Sequence, residues 1–439
     1  MGQVSKILIA NRGEIAVRVI RTCREMGIQT VAVYSTADKG GLHVRMADEA
    51  VCVGPPPSKD SYLVQRNLVA AAVKTNCDAI HPGVGFLSEN ASFARFVRGQ
   101  GLCFIGPSPE AIELLGDKVR ARETAQKFGL PVTPGTKAAV ADTDDVEKIV
   151  EELGLPVIIK ATAGGGGKGM RIVHKMSELA ENLAVARREA EANFNDDRVF
   201  IERFIENPRH VELQLLSDGK ATLVLGERDC SVQRNHQKLI EESPSSGVTD
   251  KMRGIMKEGA VRMFRDLDYR GAGTIEFLVE GDKFYFMEVN ARIQVEHPVS
   301  EFVSGVDIVR QQILACAESG MEIDAVSMKG WAIECRINAL SPGKITSLYV
   351  PGGPGVRFDT FLYETCTVPP YYDAMVGKLI VYAPDRPQAL AKMERALGEL
   401  VIEGIKTNQA EQLRIVRDDV FRSGRFGVSF IERFESGNF

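Results

Sequence analysis

Apolar and polar positions change period several times along the chain, and each change marks an element. Residues 5–34 pass from a short apolar stretch, Ile7 to Ala10, through an amphipathic one, Glu14 to Met26. A stop at Gly27 and a second apolar stretch, Thr30 to Tyr34, complete one strand–helix–strand unit. Further short strands are predicted at Ala50 to Val53, Asp78 to His81 and Leu102 to Ile105, each closed by Gly or Pro. Strands spaced by helical stretches predict an open parallel sheet, so residues 1–113 read as a Rossmann-like α/β domain. The turn Asn11-Arg12-Gly13-Glu14 lacks the G-x-G-x-x-G spacing and supports no dinucleotide site.

From residue 114 the texture becomes α+β. Strands at Pro156 to Lys160, Gly169 to Val173 and Val199 to Phe204 surround a glycine run and predict a small lid over about residues 132–205. Strands at Val211 to Leu216 and Ala221 to Leu225 follow, then a helix from Asp250 to Leu267 and a hairpin from Thr274 to Asn290. A last segment, 331–439, opens with strands and ends with helical patterns at Gln388 to Ile402 and Gln409 to Val416.

Four stretches carry chemistry. Gly164 to Gly169, after the apolar strand ending at Lys160, brings several backbone N–H groups together without side chains, which suits phosphate oxygens. The run alone is also compatible with a simple hinge. Lys160 beside it favours phosphate, and the loop is expected to be a mobile lid ordered by nucleotide. Gly169 after Lys168, and Thr162 in place of the first glycine, exclude a Walker A loop.

In the hairpin, a three-residue turn centred on Asp282 sets Glu276 opposite Glu288. Like charges across a ladder are destabilising unless a divalent cation joins them, and hard oxygens suit Mg²⁺ or Mn²⁺. Asn290 adds an oxygen on the same face; a register shifted by one would leave only a solvated hairpin. Beyond it, Glu288, Asn290, Arg292, Gln294 and Glu296 alternate with Val289, Ala291, Ile293 and Val295, which predicts an extended row of polar groups. Such a row is either a wet surface face or a catalytic one. The stretch Arg228 to Lys238 is dense in donors without periodicity and reads as a loop, in which His236 and Lys238 are either ligands or exposed residues. His210 opens a strand and is either a ligand or a buried structural histidine. His43, His81, His174 and His297 have no metal-ligand spacing.

Composition narrows the class. With 439 residues the chain exceeds one core and predicts several domains. Acids outnumber bases 59 to 54, and Lys and Arg are scattered singly, so no nucleic-acid partner is expected. No signal segment precedes Lys6 and no apolar run reaches membrane-spanning length, which predicts a cytoplasmic protein with no membrane contact. The eight cysteines form no Cys-x-x-Cys pair, and most are expected to be reduced core residues.

Taken in order, these segments resemble the biotin carboxylases over nearly the whole chain. The resemblance rests on Ile9 to Ala16, His81 to Asn90, Gly116-Asp117-Lys118, the glycine loop, Glu227 to Glu242, Glu288 to Val299, Glu334 to Ala339 and Val368 to Asp373. It implies a multidomain fold: a Rossmann-like N-terminal domain (1–113), an ATP-grasp domain with a mobile lid (114–330), and a C-terminal biotin carboxylase domain (331–439). It implies Lys118 and Lys160 on ATP phosphates, Gly166 and Gly167 in the lid loop of the ATP site, Glu202, Arg203, Phe204 and Ile205 around adenine, and His210, Gln233 and His236 toward the ribose. Glu276, Glu288 and Asn290 would hold Mg²⁺ or Mn²⁺. Lys238, Arg292, Gln294 and Val295 would bind bicarbonate, Glu296 would deprotonate it, and Arg336 would face the biotin ureido oxygen. The implied partners are a biotin carboxyl carrier protein and carboxyltransferase subunits, since no Met-Lys-Met biotin site is present: Met328-Lys329-Gly330 lacks the second methionine. A homodimer is also implied, most like the acetyl-CoA carboxylase subunit.

The chain departs from the family pattern in three places. Val84 replaces a common tyrosine, Asn235 replaces a usual arginine, and Leu340 leads straight to Ser341-Pro342-Gly343 where a short Glu-Asp-Pro-containing loop is usual. The last lies beside Arg336 and bears on biotin placement. Another ATP-grasp ligase, or a nucleotide-binding regulator without catalysis, are the alternatives. Lys238, the row from Arg292 to Glu296 and Arg336 favour the biotin carboxylase reading.

Overall fold

The computed structural model describes residues 4–136, 138–141, 145–161, 170–194, 196–317, 320–323 and 325–437. The N-terminal strands form a five-stranded parallel sheet in the order Glu49–Gly54, Gln29–Ser35, Lys6–Ile9, Ala79–His81, Cys103–Phe104. Gly13, at φ +64°, turns the chain from the first strand into the helix Gly13–Glu25, whose acidic first turn brings in Glu14. Glu14 is buried, as are most side chains of that helix.

A three-stranded antiparallel sheet, Met170–Val173, Val157–Ala161 and Val199–Arg203, packs against the helix Leu179–Phe194. Its core is separate, built on Val150, Val157, Ile159, Val173 and Ile201.

The largest sheet has eight strands: Lys283–Asn290, Arg270–Glu280, Arg209–Asp218, Thr222–Arg234, Gln237–Ser243, Trp331–Asn338, Met375–Ala383 and Val356–Thr360. It continues across residue 330, because Gln237–Ser243 pairs with Trp331–Asn338. Val211, Leu213 and Leu215 pack with Met252, Met256 and Met263 of the helix Asp250–Asp266. The alternate residues, His210, Glu212 and Gln214, are equally buried on the opposite face. The stretch expected to be a loop, Arg228 to Lys238, is instead the end of one strand, a tight turn and the start of the next. Asn235 and His236 turn it with positive φ (+49° and +63°). Its strands are buried on both faces, which removed the alternation that identifies a strand. At the other end, Ile402 lies on a short strand, Val401–Glu403, after the helix Arg386–Glu399 rather than within it.

Where the family loop is missing, the strand Trp331–Asn338 ends and only four residues later the chain enters Gly343–Lys344. Backbone bonds from Ala339 to the Ala374 carbonyl and from Leu340 to the Lys406 carbonyl, both 2.7 Å, secure this crossing. Cys103 and Cys316, distant in sequence, are paired as a disulfide with Cα atoms 6.8 Å apart, while the other six cysteines are free and all but Cys52 are buried, as expected of most of them. Among the described residues, no helix is long and apolar enough to cross a membrane.

His43 and His81 are fully buried, and burial pushes both imidazoles down to about 4. The unfolded chain therefore binds more protons than the native one between about pH 6.5 and pH 4, and stability falls as pH falls through that window. Holding the two rings neutral costs about 2 kcal/mol each at pH 5. Glu241, which burial pushes up to about 7, acts in the opposite direction over the same range, so the assignment is read from the variant. Between pH 7 and pH 5 the midpoint of His81→Gln should fall less, or rise more, than that of the unaltered chain. An equal change in both would contradict the assignment.

Candidate active site

The centre of the large sheet carries a row of charge across four strands. Glu288 pairs directly with Glu276, Glu276 with Glu212, and Glu212 with Arg228. Glu276 and Glu212 are buried and Arg228 is fully enclosed. The expected facing of Glu276 and Glu288 is present, but by another route. Glu280 pairs with Lys283, so the turn is the two-residue Gly281-Asp282, and an irregularity at Met287 restores the pairing beyond Phe277 and Phe286.

Lys238 reaches into this row from the neighbouring hairpin. Its ammonium meets Glu212, Glu296 (2.7 Å) and Glu276 (3.4 Å). Burial alone would push Lys238 down, but these three carboxylates hold it well above its ordinary value. Burial likewise works against the charge of Glu276, and Lys238 with His210 holds it well below the carboxylate range. His210 is 2.7 Å from Glu276 through Nε2 and 2.9 Å from the Gln233 amide through Nδ1. It is therefore buried and also joined to the charged row.

The row expected to run extended to Glu296 does not do so. The strand ends at Asn290, and six residues of irregular chain lead into the helix His297–Ser304. Its polar groups nevertheless converge. Asn290 Nδ2 and Gln294 Nε2 donate to Glu276 Oε1 at 2.7 and 2.9 Å. Arg292 turns away from Glu296: it donates to Glu89 (2.8 Å) and to Asn290 Oδ1 (2.8 Å), while Ala291 N also donates to Glu89 (2.9 Å). Glu296 is met by Lys238 and by Arg336 (3.0 Å), and these cations hold it below its ordinary value despite burial. Arg336 donates through Nε to Glu241 at 2.6 Å. Burial pushes the Glu241 carboxyl up to about 7, with Arg336 pulling the other way.

Lys118, in the first turn of the helix Lys118–Lys127 capped by Asp117, lines a cavity of about 230 Å³ with Glu288, Asn290 and Glu89. Lys160 is turned to Glu202 (2.6 Å), which also binds Arg122. Arg203 donates to Glu280 (2.8 Å) and Tyr285 (2.9 Å), Phe204 stands edge-on to His174, and Ile205 is buried. His236 is exposed at the hairpin tip. Gly166 and Gly167 lie outside the described residues. Val84 gives its carbonyl to Asn11 Nδ2 at 2.7 Å.

Sequence reasoning missed Glu212, Arg228, Glu241 and Glu89. For Glu212 a signal existed: His210, Glu212 and Gln214 alternate with Val211, Leu213 and Leu215, as a half-wet strand does, but this polar face is enclosed. Two facing carboxylates with the Asn290 amide next to them are chemically a donor set that fits Mg²⁺ or Mn²⁺, although here that amide gives its N–H to Glu276 and its oxygen to Arg292.

Three family models match: biotin carboxylase N-terminal domain at residues 3–112, carbamoyl-phosphate synthase L chain ATP-binding domain at 117–323, and biotin carboxylase C-terminal domain at 334–433. The chain is 49% identical to a biotin carboxylase of Allochromatium vinosum, the match covering 98% of both. A solved biotin carboxylase–βγ-ATP complex from Campylobacter jejuni superposes with TM-score 0.93 at 44% identity, covering 98% of this chain and 99% of that one. The biotin carboxylase domain dimer of Hydrogenobacter thermophilus 2-oxoglutarate carboxylase, with MgADP, ADP and bicarbonate, superposes with TM-score 0.92 at 42% identity. That match covers 100% of this chain and 99% of the other.

Proposed function

The chain belongs to the biotin carboxylase family, ATP-grasp ligases that form a C–N bond by carboxylating biotin with ATP and Mg²⁺, and from that premise we propose how its residues divide the work. ATP supplies the phosphoryl group that activates bicarbonate, and Glu276, Glu288 and Asn290 are the residues that would hold the metal on its phosphates. Lys118 and Lys160 carry positive charge to the phosphates, and Gly166 and Gly167 are assigned to the ATP site as well. Glu202 to Ile205 take the adenine, and His210, Gln233 and His236 the ribose side. Lys160 leaves Glu202 to do so, and Arg292 leaves Glu89 to join Lys238, Gln294 and Val295 on bicarbonate. Glu296 takes the bicarbonate proton as a bicarbonate oxygen accepts the phosphoryl group and ADP leaves. Arg336 places its guanidinium on the ureido oxygen, where negative charge develops as N1 gives its proton to the departing phosphate and is discharged as N1 takes the carboxyl group.

The observation that carries this reading is the chain of contacts Lys238–Glu296–Arg336. It places an ionised carboxylate between a cation able to hold an anion and one able to face biotin. The experiment is ATP hydrolysis with bicarbonate, with and without free biotin, following label from bicarbonate into biotin. Biotin should stimulate hydrolysis and take up the label. Hydrolysis indifferent to biotin, with no label transferred, would overturn the reading.

The carrier of biotin is proposed to be a separate biotin carboxyl carrier protein, with a carboxyltransferase consuming the product and acetyl-CoA as final acceptor, toward malonyl-CoA and fatty acid synthesis. This is supported by the match to the biotin carboxylase of Allochromatium vinosum, which covers 98% of both chains. A propionyl-CoA, pyruvate or 2-oxoglutarate carboxylase is the second reading, favoured by the match to the Hydrogenobacter domain. That domain is a dimer, which supports a homodimer here. The chain is proposed to act in the cytoplasm.

A further inference from the structure

We infer that Lys378 is a positioning residue: its ammonium holds the Val295 carbonyl and so fixes the turn that presents Gln294, Val295 and Glu296 to bicarbonate. The inference rests on the proposed role of that turn.

Lys378 lies in the middle of the strand Met375–Ala383, flanked by buried Val376, Leu379 and Ile380, and is itself fully enclosed. Removing an ammonium from water costs several kcal/mol, and one that is kept inside must be met by fixed partners. It donates to the Val295 carbonyl at 2.7 Å and lies 3.2 Å from Glu14 Oε1. These partners come from distant parts of the chain: the first turn of the N-terminal helix and the segment between Asn290 and the helix His297–Ser304. That segment has no ladder to hold it, since the hairpin strand ends at Asn290.

Lys378 also pairs directly with Arg336 across the sheet. Directly opposed residues share a face, so the two cations stand side by side. Arg336 grips the Glu296 carboxylate and Lys378 grips the carbonyl of the preceding residue. The turn is therefore held at two successive points from one rigid sheet. Glu14, whose second oxygen has no hydrogen-bond partner, supplies counter-charge together with Asp359, which pairs directly with Lys378 on the strand at the sheet's edge.

The experiment compares Lys378→Met, Lys378→Gln and Glu296→Gln with the unaltered enzyme, measuring kcat and separate KM values for bicarbonate and ATP alongside the thermal midpoint. Small misplacements of reacting groups cost up to about 10²-fold. Lys378→Met should lower biotin-dependent kcat/KM for bicarbonate by about tenfold or more, with KM for ATP within about twofold. Lys378→Gln keeps an N–H donor for the carbonyl and should fall between the two. A folded Lys378→Met with unchanged bicarbonate kinetics, or with bicarbonate and ATP affected equally, overturns the inference and shows a purely structural lysine. If Lys378→Met does not fold, Lys378→Gln is judged by the same criterion. A Glu296→Gln variant at full rate would instead remove the role of the turn itself, and the inference with it.

Discussion

Replacing Glu288 by lysine is expected to abolish biotin-dependent ATP turnover while leaving the fold intact. Glu288 and Glu276 are direct ladder partners, and their Cβ atoms in such a pair are about 5 Å apart. Two carboxylates so placed repel each other; Lys238 and His210 offset part of that repulsion from the Glu276 side, and a cation between the two would remove the rest. A lysine at 288 puts a fixed ammonium opposite Glu276 and replaces repulsion by an ion pair, so the hairpin has no reason to unfold. It also removes one of the two anionic ligands proposed for the metal and places positive charge where the metal would lie. Metal stabilisation of the transferring phosphoryl group is worth several kcal/mol, so the rate should fall by at least about 10²-fold. Activity is read by ATP hydrolysis with biotin and the fold by thermal midpoint. A folded variant with normal biotin-dependent hydrolysis would remove Glu288 from the metal site.

How far the sequence reveals this site depends on whether local pattern or distant packing sets each part. The parallel N-terminal sheet is legible because its short apolar strands are punctuated by glycine and proline. The hairpin pairing is legible too, although the assumed turn is one residue too long: the irregularity at Met287 adds back the residue that the tighter turn at Gly281-Asp282 leaves out. What alternation could not reveal is where the strand stops. The residues from Asn290 to Glu296 keep a period of two without being extended, because their polar groups are drawn in by partners far away in sequence: Glu276, Glu89, Lys238 and Arg336. Burial hides the rest. Arg228 and Lys378 lie in stretches with no wet face, and a charged residue there looks like a surface position until the sheet and its helices enclose it.

The same enclosure gives the second large effect, on replacing Glu296 by glutamine. Bicarbonate is a poor nucleophile until its proton leaves, so the acceptor must be ionised and close to it. Glu296 is 2% exposed, and an isolated carboxylate so deeply buried would be protonated. Lys238 at 2.7 Å and Arg336 at 3.0 Å prevent this and hold the carboxyl below its ordinary value. Arg292 does not contribute that charge, since it is paired with Glu89. Glutamine keeps the shape and one acceptor oxygen but cannot take a proton. Glu296→Gln should therefore lower the biotin-dependent rate by about 10²- to 10⁴-fold, the usual worth of a general base. Affinity for ATP should hardly change, because glutamine keeps the shape of a side chain whose partners are Lys238 and Arg336, the cations proposed to meet bicarbonate and biotin. A glutamate that served only to neutralise Lys238 and Arg336 predicts the opposite pattern, a lower thermal midpoint with the rate largely kept. Steady-state kinetics of this variant separates the two, and a loss smaller than about threefold, far below the general-base range, would rule Glu296 out as the base.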